Sequence, residues 1–480
     1  MPEPKERQSI KAQSERAVLA AVRLPESQYD HADPFGELAA LSEQAGAVIV
    51  GELTQQLDRP VAGSYMGTGK LNELKSLCDL TDASMVIFDH ELSPKQIAKI
   101  EEAVSRKVVD RSELILDIFA SRATTHEAKL QVELAQLEYT YPRLRAMWSH
   151  LERISGGAPT GIGSRGPGEQ QLEIDRRLVQ RKKSQLTREL REIQSRKRRS
   201  VEKRNSEHFT VGLVGYTNAG KSTLFNTLTA GGAYADDRVF ATLMTRTRAW
   251  DLGGGLDVLL SDTVGFVRDL PHNLVASFKA TLEEATHADL LLVVLDVSDP
   301  AAELHYETVT RTLNELFDEV AKSEHPPAAP PEPYDPEYGG PASLPGSEDL
   351  RRGWTPPPRV LLLNKADLLQ DERDVLRWQT RSPGAIAISS MPDEDGRPAI
   401  GADELIETVR THMLGPIGTY DIDVALKDAR TIHAIESRGE VLDRTYEGDR
   451  VTLRAKLGSR LVERVQAAGA SVEAAAAPKR

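Results

Sequence analysis

Apolar and polar residues alternate between positions 17 and 122 in a way that predicts a small α/β domain. Short apolar runs, typical of buried strands, alternate there with stretches whose apolar residues recur at helical spacing. The runs are 18–22, 47–51, 85–89 and 107–110. Because strands separated by helices form parallel sheets that the helices cover, we expect one such sheet here. We expect the polar residues 1–16 before it to form a disordered tail.

Residues 123–205 carry two stretches with the spacing of helices that pack side by side. In the first, apolar side chains are alternately four and three positions apart, which is a coiled-coil pattern. They are Leu130, Leu134, Leu137, Tyr141, Leu144, Trp148 and Leu151. In the second, the apolar positions are seven apart and comprise Leu172, Val179, Leu186 and Ile193. With the glycine-rich stretch 155–168 between them, these repeats predict an antiparallel helical hairpin with a glycine-rich tip loop.

Residues 206–416 predict a second and larger α/β domain, doubly wound around a mostly parallel sheet with one hairpin. Six apolar runs alternate with helical patterns, at 209–214, 247–251, 256–262, 290–296, 359–363 and 385–389. Eleven of the 27 prolines fall between residues 326 and 358, so we expect 323–358 to be an exposed, disordered insertion. Residues 417–480 predict a small α+β domain, and the fold class of the whole chain is α/β.

The composition is that of a soluble globular protein, with 480 residues of which 40% are hydrophobic and 28% charged. Its most apolar run, 290–295, is far shorter than the about 20 residues of a membrane-spanning helix. No apolar segment near the N-terminus indicates a signal peptide. The single cysteine, Cys78, excludes an intramolecular disulfide. We therefore expect a cytoplasmic monomer without a membrane span, and peripheral association with the membrane stays open.

The strongest chemical signal is segment 215–222, which reads Gly-Tyr-Thr-Asn-Ala-Gly-Lys-Ser and fits the P-loop pattern G-x-x-x-x-G-K-[ST]. It lies between a predicted strand and a predicted helix. Glycines let backbone N–H groups point at phosphates, and the helix N-terminus adds partial positive charge. Lys221 is expected to reach the β- and γ-phosphates and Ser222 to bind Mg²⁺. A chance glycine-rich turn is disfavoured because both flanking elements fit.

The segment 364–367, Asn-Lys-Ala-Asp, directly follows a predicted strand and indicates which base is bound. The carboxylate of Asp367 can accept hydrogen bonds from N1–H and the exocyclic amine of guanine. Adenine offers no such pair of donors, and a site built on polar pairing rejects the wrong partner strongly. Ser389 and Ser390 follow the last strand and are placed to contact the base.

A third motif, Asp262-Thr-Val-Gly265, follows the predicted strand 256–262. Its carboxylate can hold Mg²⁺ through water, and the N–H of Gly265 can meet the γ-phosphate. In translation-factor-like GTPases, which this segment resembles, a glutamine that positions water would fall at Phe266. Phenylalanine can neither orient nor deprotonate water, so the catalytic residue is unknown and we expect slow intrinsic turnover that waits for a partner.

Two kinds of metal ion are candidates. For Mg²⁺ we predict Ser222, Thr242 and, through water, Asp262, although Thr245 also qualifies as the threonine that senses the γ-phosphate. K⁺ could bind near Asn218, whose alternative role is to cap a turn. The residues predicted to bind the nucleotide are Gly215, Tyr216, Thr217, Asn218, Ala219, Gly220, Lys221, Ser222, Thr223, Asp262, Thr263, Val264, Gly265, Asn364, Lys365, Asp367, Ser389 and Ser390.

Positive charge is concentrated in one strip of an acidic chain. The net charge is −13, yet residues 176–204 contain thirteen basic and three acidic side chains. Such a strip can bind RNA phosphates, and its alternative is a solvated helix face. Its density and its attachment to a glycine-rich loop that contains Arg165 favour RNA.

The segment Gly67-Thr-Gly69-Lys70 looks like the end of another P-loop. Ser64 stands where the first glycine should be, and Leu71 replaces the hydroxyl that binds the metal ion. A second P-loop nucleotide site is therefore disfavoured.

Taken together, the motifs resemble HflX-type GTPases of the Obg–HflX superfamily. The resemblance covers about residues 30–415 and includes the segments 156–157, 161–169, 215–222, 240–243, 262–266 and 364–367. It implies binding to the large (50S) ribosomal subunit and its rRNA, with splitting or rescue of stalled or idle ribosomes in the GTP state. By family position Thr242 is the switch threonine. The chain departs from the family at Met244-Thr245, where Asp-Pro is usual, and in its proline-rich insertion.

The same resemblance implies that the hairpin loop reaches toward rRNA. The candidate rRNA contacts are Gly161, Gly163, Ser164, Arg165, Arg176, Arg177, Arg181, Lys182 and Lys183. Two rival functions stay open: an RNA- or protein-binding adaptor that uses GTP as a structural ligand with little turnover, and an ATP-driven RNA remodeller that acts through the N-terminal domain.

Overall fold

The computed structural model describes residues 15–25, 27, 29–30, 33–154, 177–196, 208–229, 246–268, 285–324, 355–369, 371–393 and 397–474. The chain forms two compact units. The first contains the N-terminal elements as far as the helix at 177–196, together with Val267 and Arg268. The second contains the remaining described segments.

A four-stranded parallel sheet forms the N-terminal domain, with the strand order β2-β1-β3-β4. The strands are β1 Arg16–Arg23, β2 Val48–Gln56, β3 Met85–Phe88 and β4 Lys107–Asp110. The helices are α1 Gly36–Gln44, α2 Thr68–Leu80, α3 Pro94–Val104 and α4 Arg111–Arg122. Every residue of β1 after Arg16 is buried because the strand lies inside the sheet. Arg16 pairs with Val48, so the strand takes in the last residue of the predicted tail.

Two helix starts follow local sequence signals beside the carboxyl ends of β3 and β4. The Ser93 side chain accepts a hydrogen bond from the Gln96 N–H, the Gln96 side-chain oxygen accepts one from the Ser93 N–H, and Pro94 opens α3. The Asp110 carboxylate accepts from the Glu113 N–H and caps α4. The Asp110 cap fixes Arg111 as the first residue of α4.

Two long helices, α5 His126–Ile154 and α6 at 177–196, pack side by side. Their apolar contact comprises Leu130, Leu134, Leu186 and Leu190, with Leu137 and Ile193 beside it. A hydrogen bond of 2.8 Å joins His126 to Glu189, and an ion pair of 3.1 Å joins Glu133 to Lys182. Since partner numbers fall along α6 as they rise along α5, the two helices are antiparallel. The predicted glycine-rich tip loop at 155–168 lies outside the described residues.

The larger sheet has six strands in the order β10-β9-β8-β5-β7-β6. All neighbours are parallel except the β6–β7 hairpin, which confirms the predicted fold class. Its strands are β5 Thr210–Gly215, β6 Arg246–Gly253, β7 Leu256–Asp262, β8 Leu290–Asp296, β9 Arg359–Asn364 and β10 Ile386–Ala387. Its helices are α7 Lys221–Leu228, α8 Ala302–Glu324, α9 Glu372–Arg381 and α10 Ala402–Leu414, and a small hairpin is formed by β11 Ser389–Pro392 and β12 Pro398–Ile400.

The helix α8 continues two residues into the predicted insertion and ends at Glu324. Its residues Leu316, Phe317 and Val320 are buried, so the helix is still packed on the domain shortly before this extension. Residues 355–358 before β9 are also described, and 325–354 lie outside the described residues.

The C-terminal elements form an antiparallel sheet in the order β14-β15-β13-β16, with two helices. They are β13 Ile417–Ala425, α11 Ala429–Arg438, β14 Glu440–Glu447, β15 Arg450–Gly458, α12 Ser459–Ala467 and β16 Ser471–Ala474. Their core is separate and comprises mainly aliphatic side chains. Within the described part of the chain, each helix is too short or too polar to cross a bilayer.

Candidate functional site

The P-loop connects the buried central strand β5 to helix α7. Asn218 and Gly220 adopt left-handed backbone conformations, with φ values of 60° and 91°. A Cβ atom at Gly220 would collide with the Asn364 amide, and one at Gly215 would collide with the Val294 carbonyl oxygen. Both glycines are therefore required by close approach, and the turn presents the start of α7 as a phosphate site would need.

The Lys221 ammonium folds back onto this loop. It donates hydrogen bonds to the carbonyl oxygens of Gly215 and Tyr216, at 3.1 and 2.5 Å. Burial lowers the pKa of Lys221 to about 8, and the nearby Asp262 carboxylate opposes this shift. A phosphate group at the loop would supply the negative charge that this buried lysine lacks.

Asp262 ends strand β7 and is fully buried. Its Oδ2 accepts a hydrogen bond of 2.8 Å from the Ser222 hydroxyl, while the Thr263 hydroxyl donates to the Leu213 carbonyl. A hydroxyl beside a carboxylate offers the oxygen ligands that Mg²⁺ prefers, so these residues fit that ion. Thr242 and Thr245 lie outside the described residues. No cluster of three or more His, Cys, Asp or Glu ligands occurs in the described segments.

Gly265 and Phe266 connect this motif to the P-loop through the backbone. The Phe266 N–H donates to the Gly215 carbonyl at 3.0 Å, and the Thr217 N–H donates to the Phe266 carbonyl at 2.8 Å. A Cβ at Gly265 would lie 2.8 Å from Thr217 Cγ2 and 3.1 Å from Lys221 Nζ, so only glycine fits. The Phe266 side chain is buried, which leaves no polar group at this position for a water molecule.

Asn364, at the end of β9, joins three parts of the site. Its fully buried side chain donates to the Ala219 carbonyl at 2.7 Å and accepts from the Ser390 N–H at 3.0 Å. Lys365 has a left-handed backbone and an ion pair of 2.6 Å with Asp296. Asp367 follows in a short 3-10 turn and is exposed, so its carboxylate is accessible to a ligand.

Ser389 and Ser390 are buried at the start of β11. The Ser390 carbonyl accepts a hydrogen bond of 2.9 Å from the Thr227 hydroxyl, so its backbone holds the site together. Val264 is buried and Thr223 is half-buried in the first turn of α7. The structure thus brings the described nucleotide candidates together at the carboxyl ends of β5, β7 and β9.

Sequence reasoning missed two contributors to this site. Asp296 orients Lys365 from the end of β8, and an acidic residue directly after an apolar run was the available signal. His305 stacks on the P-loop Tyr216, with ring centroids 3.9 Å apart. A histidine in the next helix gives no local sign of this contact.

The candidate RNA contacts divide into three groups. Arg177 and Arg181 are exposed on α6, and with Arg188 they follow one face of that helix. Lys182 and Lys183 form ion pairs with Glu133 and Glu138 of α5, at 3.1 and 2.7 Å. The others, Gly161, Gly163, Ser164, Arg165 and Arg176, lie outside the described residues.

The segment 67–70 does not form a P-loop. The Gly67 N–H donates to the Gln55 side chain at 2.9 Å, and Lys70 pairs with Glu73. The backbone here begins helix α2 instead of wrapping around a phosphate.

A mostly parallel sheet whose strand ends hold a P-loop, a buried aspartate and a guanine-type motif defines a P-loop GTPase. Three family models match the chain: GTP-binding GTPase N-terminal at 32–120, GTP-binding GTPase Middle Region at 122–204, and 50S ribosome-binding GTPase at 210–327.

Relatives place the chain within this class. GTPase HflX of Lacrimispora saccharolytica is 37% identical over 453 residues, which are 94% of this chain and 96% of that protein. GTPase HflX of Escherichia coli is 44% identical over 418 residues and 87% of each chain. The chain belongs to the HflX family of GTPases, and it hydrolyses GTP.

Among solved structures, a GTP-binding protein from Sulfolobus solfataricus in complex with GDP is similar. It is 23% identical, with a TM-score of 0.38, over 83% of this chain and 98% of that chain.

Proposed function

We propose that this GTPase associates with the 50S ribosomal subunit through rRNA and splits or rescues stalled or idle ribosomes in its GTP state. The observation that carries the proposal is the backbone pairing of Phe266 with the P-loop. This pairing brings Gly265 directly beside Lys221. A γ-phosphate bound at Lys221 would therefore contact Gly265 and affect the conformation of the residues that follow it. The match to a 50S ribosome-binding GTPase model supports the partner.

The nucleotide is held by side chains with distinct roles. Lys221 binds the β- and γ-phosphates, and Asp367 accepts hydrogen bonds from guanine, with Ser389 and Ser390 beside the base. Ser222, Thr242 and, through water, Asp262 would hold Mg²⁺, which would neutralise charge on the phosphates. Because the family consists of GTPases, dependence on Mg²⁺ is expected of this chain.

Turnover is slow without a partner because of Phe266. The buried phenyl group offers no hydrogen-bond acceptor to an attacking water, so the subunit supplies or orders the missing group.

Asn218 could hold K⁺ instead of capping its turn, and its exposed side chain is accessible to an ion. We then expect GTP turnover to be faster in K⁺ than in Na⁺ at matched ionic strength, measured as phosphate release. Equal rates would leave Asn218 as a turn residue.

The exposed arginines of α6 form the proposed RNA contact. About six phosphate contacts would make affinity fall by ~10³ between about 50 and 200 mM salt. The glycine-rich segment, with Gly161, Gly163, Ser164 and Arg165, is proposed to approach rRNA closely. We further propose a cytoplasmic monomer, and the comparisons give no support for association with the membrane.

Co-sedimentation with 30S, 50S and 70S particles tests the partner. We expect preference for 50S with a non-hydrolysable GTP analogue and weaker binding with GDP. Arg177→Glu with Arg181→Glu should weaken binding and flatten its dependence on salt. Arg373→Glu, an exposed arginine on α9, is the matched control. Unchanged binding of the double variant would show that α6 is a solvated face.

The burial of Phe266 also favours a second candidate, an RNA- or protein-binding adaptor that keeps GTP as a structural ligand with little turnover. The GTPase rate with and without 50S subunits separates the two. Stimulation supports the ribosome-dependent enzyme, and its absence supports the adaptor.

A further inference from the structure

A cluster of buried charges lies at the carboxyl ends of the central strands of the N-terminal sheet. Arg23 is the last residue of β1, and its Nη1 is 3.0 Å from Oδ2 of Asp89, which follows β3. Nη1 of Arg111 is 2.8 Å from Asp89 Oδ1. The strand order β2-β1-β3-β4 sends the chain to opposite sides after β1 and β3. In open parallel sheets, ligands bind in the crevice at that point.

Arg268 fills this crevice, in the same compact unit as the sheet. Its Nη2 lies 3.0 and 2.9 Å from the two Asp89 oxygens. Its carbonyl accepts hydrogen bonds from Nε and Nη2 of Arg111, at 3.2 and 3.1 Å. Its backbone N–H donates to Glu37 Oε1 at 3.2 Å. Because side chain, carbonyl and amide of one residue are all held, the crevice receives a peptide segment where a small molecule would otherwise bind.

The charges of the cluster stay balanced when Arg268 is taken out of it. Burial raises the pKa of Asp89, but Arg111, Arg268 and Arg23 together hold it below its usual value, so the carboxylate is charged. Without Arg268, Asp89 keeps two arginines, and Arg23 and Arg111 balance Asp89 and Glu37. Removing Asp89 instead would leave buried guanidinium groups facing each other, which is far more costly.

Arg268 is also close in sequence to the nucleotide site. The Phe266 backbone pairs with the P-loop through both its N–H and its carbonyl. Phe266 and Arg268 are two residues apart, and two residues of chain span at most about 7 Å. A displacement of Phe266 would therefore also displace Arg268. We propose that docking of Arg268 on Asp89 couples the nucleotide state to the N-terminal domain; this rests on the proposed role of Gly265 beside the γ-phosphate. Arg268 acts as a positioning residue in this scheme.

Hydrogen–deuterium exchange of the full chain, with GDP and with a non-hydrolysable GTP analogue, tests the coupling. Peptides that cover 17–24 and 85–93 should differ in exchange rate between the two nucleotides by about fivefold or more, the lower end of common coupling energies. Arg268→Met should abolish this difference and, because coupling is reciprocal, change the ratio of the GDP and GTP-analogue affinities by about the same factor, while calorimetry shows that both nucleotides still bind. Hydrogen-bonded amides of β5 should exchange as in the wild type, which shows that the variant folds.

Two further variants sharpen the test. Arg106→Met removes an exposed ion pair of 2.9 Å with Asp79 in the same domain, and it should keep the nucleotide-dependent difference. Glu37→Gln removes the negative charge that lies 2.8 Å from Arg111 Nη2 and 3.7 Å from Arg268 Nε, and it weakens the acceptor of the Arg268 amide. It leaves the contact of Arg268 with Asp89 in place and should reduce the difference in part. If the wild type binds both nucleotides yet exchange at 85–93 is unchanged, or if Arg268→Met keeps the difference, the coupling is wrong. Failure to bind any nucleotide would instead overturn the proposed function as well.

Discussion

Lys221 is the residue whose charge the fold affects most directly at the nucleotide site. Its ammonium is buried against two loop carbonyls, and its pKa falls to about 8 because burial disfavours the charged form. Burying this lysine therefore costs stability that a bound phosphate would offset. Residues at binding sites often reduce the stability of the fold in this way.

The stability of the nucleotide-free protein should depend on this lysine between pH 8 and 10.5. In that window the unfolded chain, with a lysine pKa of 10.5, holds more protons than the folded one, so the free energy of unfolding rises with pH. One pKa unit corresponds to about 1.4 kcal/mol. Across this pH window the free energy of unfolding of the wild type should therefore rise by up to ~3 kcal/mol relative to that of Lys221→Met. Urea unfolding at several pH values measures this.

Lys221→Arg provides the control for that measurement. Its guanidinium stays protonated over the whole range, so its pH slope should match that of Lys221→Met. Parallel slopes for wild type and both variants would show that Lys221 does not titrate differently in the two states.

At the scale of elements, the helical hairpin depends on a short apolar contact. Leu130 and Leu134 of α5 meet Leu186 and Leu190 of α6. The ion pairs across the hairpin are half-exposed, so each contributes only about 0–1 kcal/mol. The leucines therefore determine whether α6 holds its arginines on an ordered face.

Truncation of one of these leucines should loosen α6. Leu190 is buried, so Leu190→Ala is expected to cost about 2–4 kcal/mol. Hydrogen exchange of amides 181–194 should then accelerate, and salt-dependent binding to 50S should weaken. Leu178→Ala, at an exposed position of the same helix, should cost less than about 0.5 kcal/mol. Equal effects of the two changes would contradict the role assigned to the contact.

The hairpin and the P-loop could be predicted from the sequence because their signals are local. The heptad spacing places Leu186 and Ile193 on one face of a helix, and the P-loop motif specifies its own turn. The crevice around Asp89 has no such signal. Arg268 is 179 positions from Asp89 and 231 from Glu37, so only the folded chain brings them together. Asp296 did carry a local signal, since it directly follows an apolar run, but its partner Lys365 is distant in sequence and is identified only in the folded chain.

At the scale of the whole molecule, charge is segregated along the chain. The net charge is −13, while residues 176–204 alone carry +10, so the other residues carry −23. This segregation supports the proposed RNA contact at 176–204, because the net negative charge of the other residues would repel RNA phosphates. The pocket can transmit the state of a guanine nucleotide only if it selects guanine. Asp367 is the residue proposed to make that selection.

The most direct test is calorimetry of GDP, ADP and xanthosine diphosphate on wild type and Asp367→Asn. Xanthine carries a carbonyl where guanine has its amine, so an asparagine amide can donate to it while its carbonyl accepts N1–H. We predict that the wild type binds GDP and not ADP. Asp367→Asn should lower the affinity for GDP by about 100-fold or more and create affinity for xanthosine diphosphate. Asp371→Asn, an exposed helix cap nearby, should behave as wild type. Equal affinity of the wild type for ADP and GDP, or no guanine nucleotide bound to the folded chain, would contradict the account.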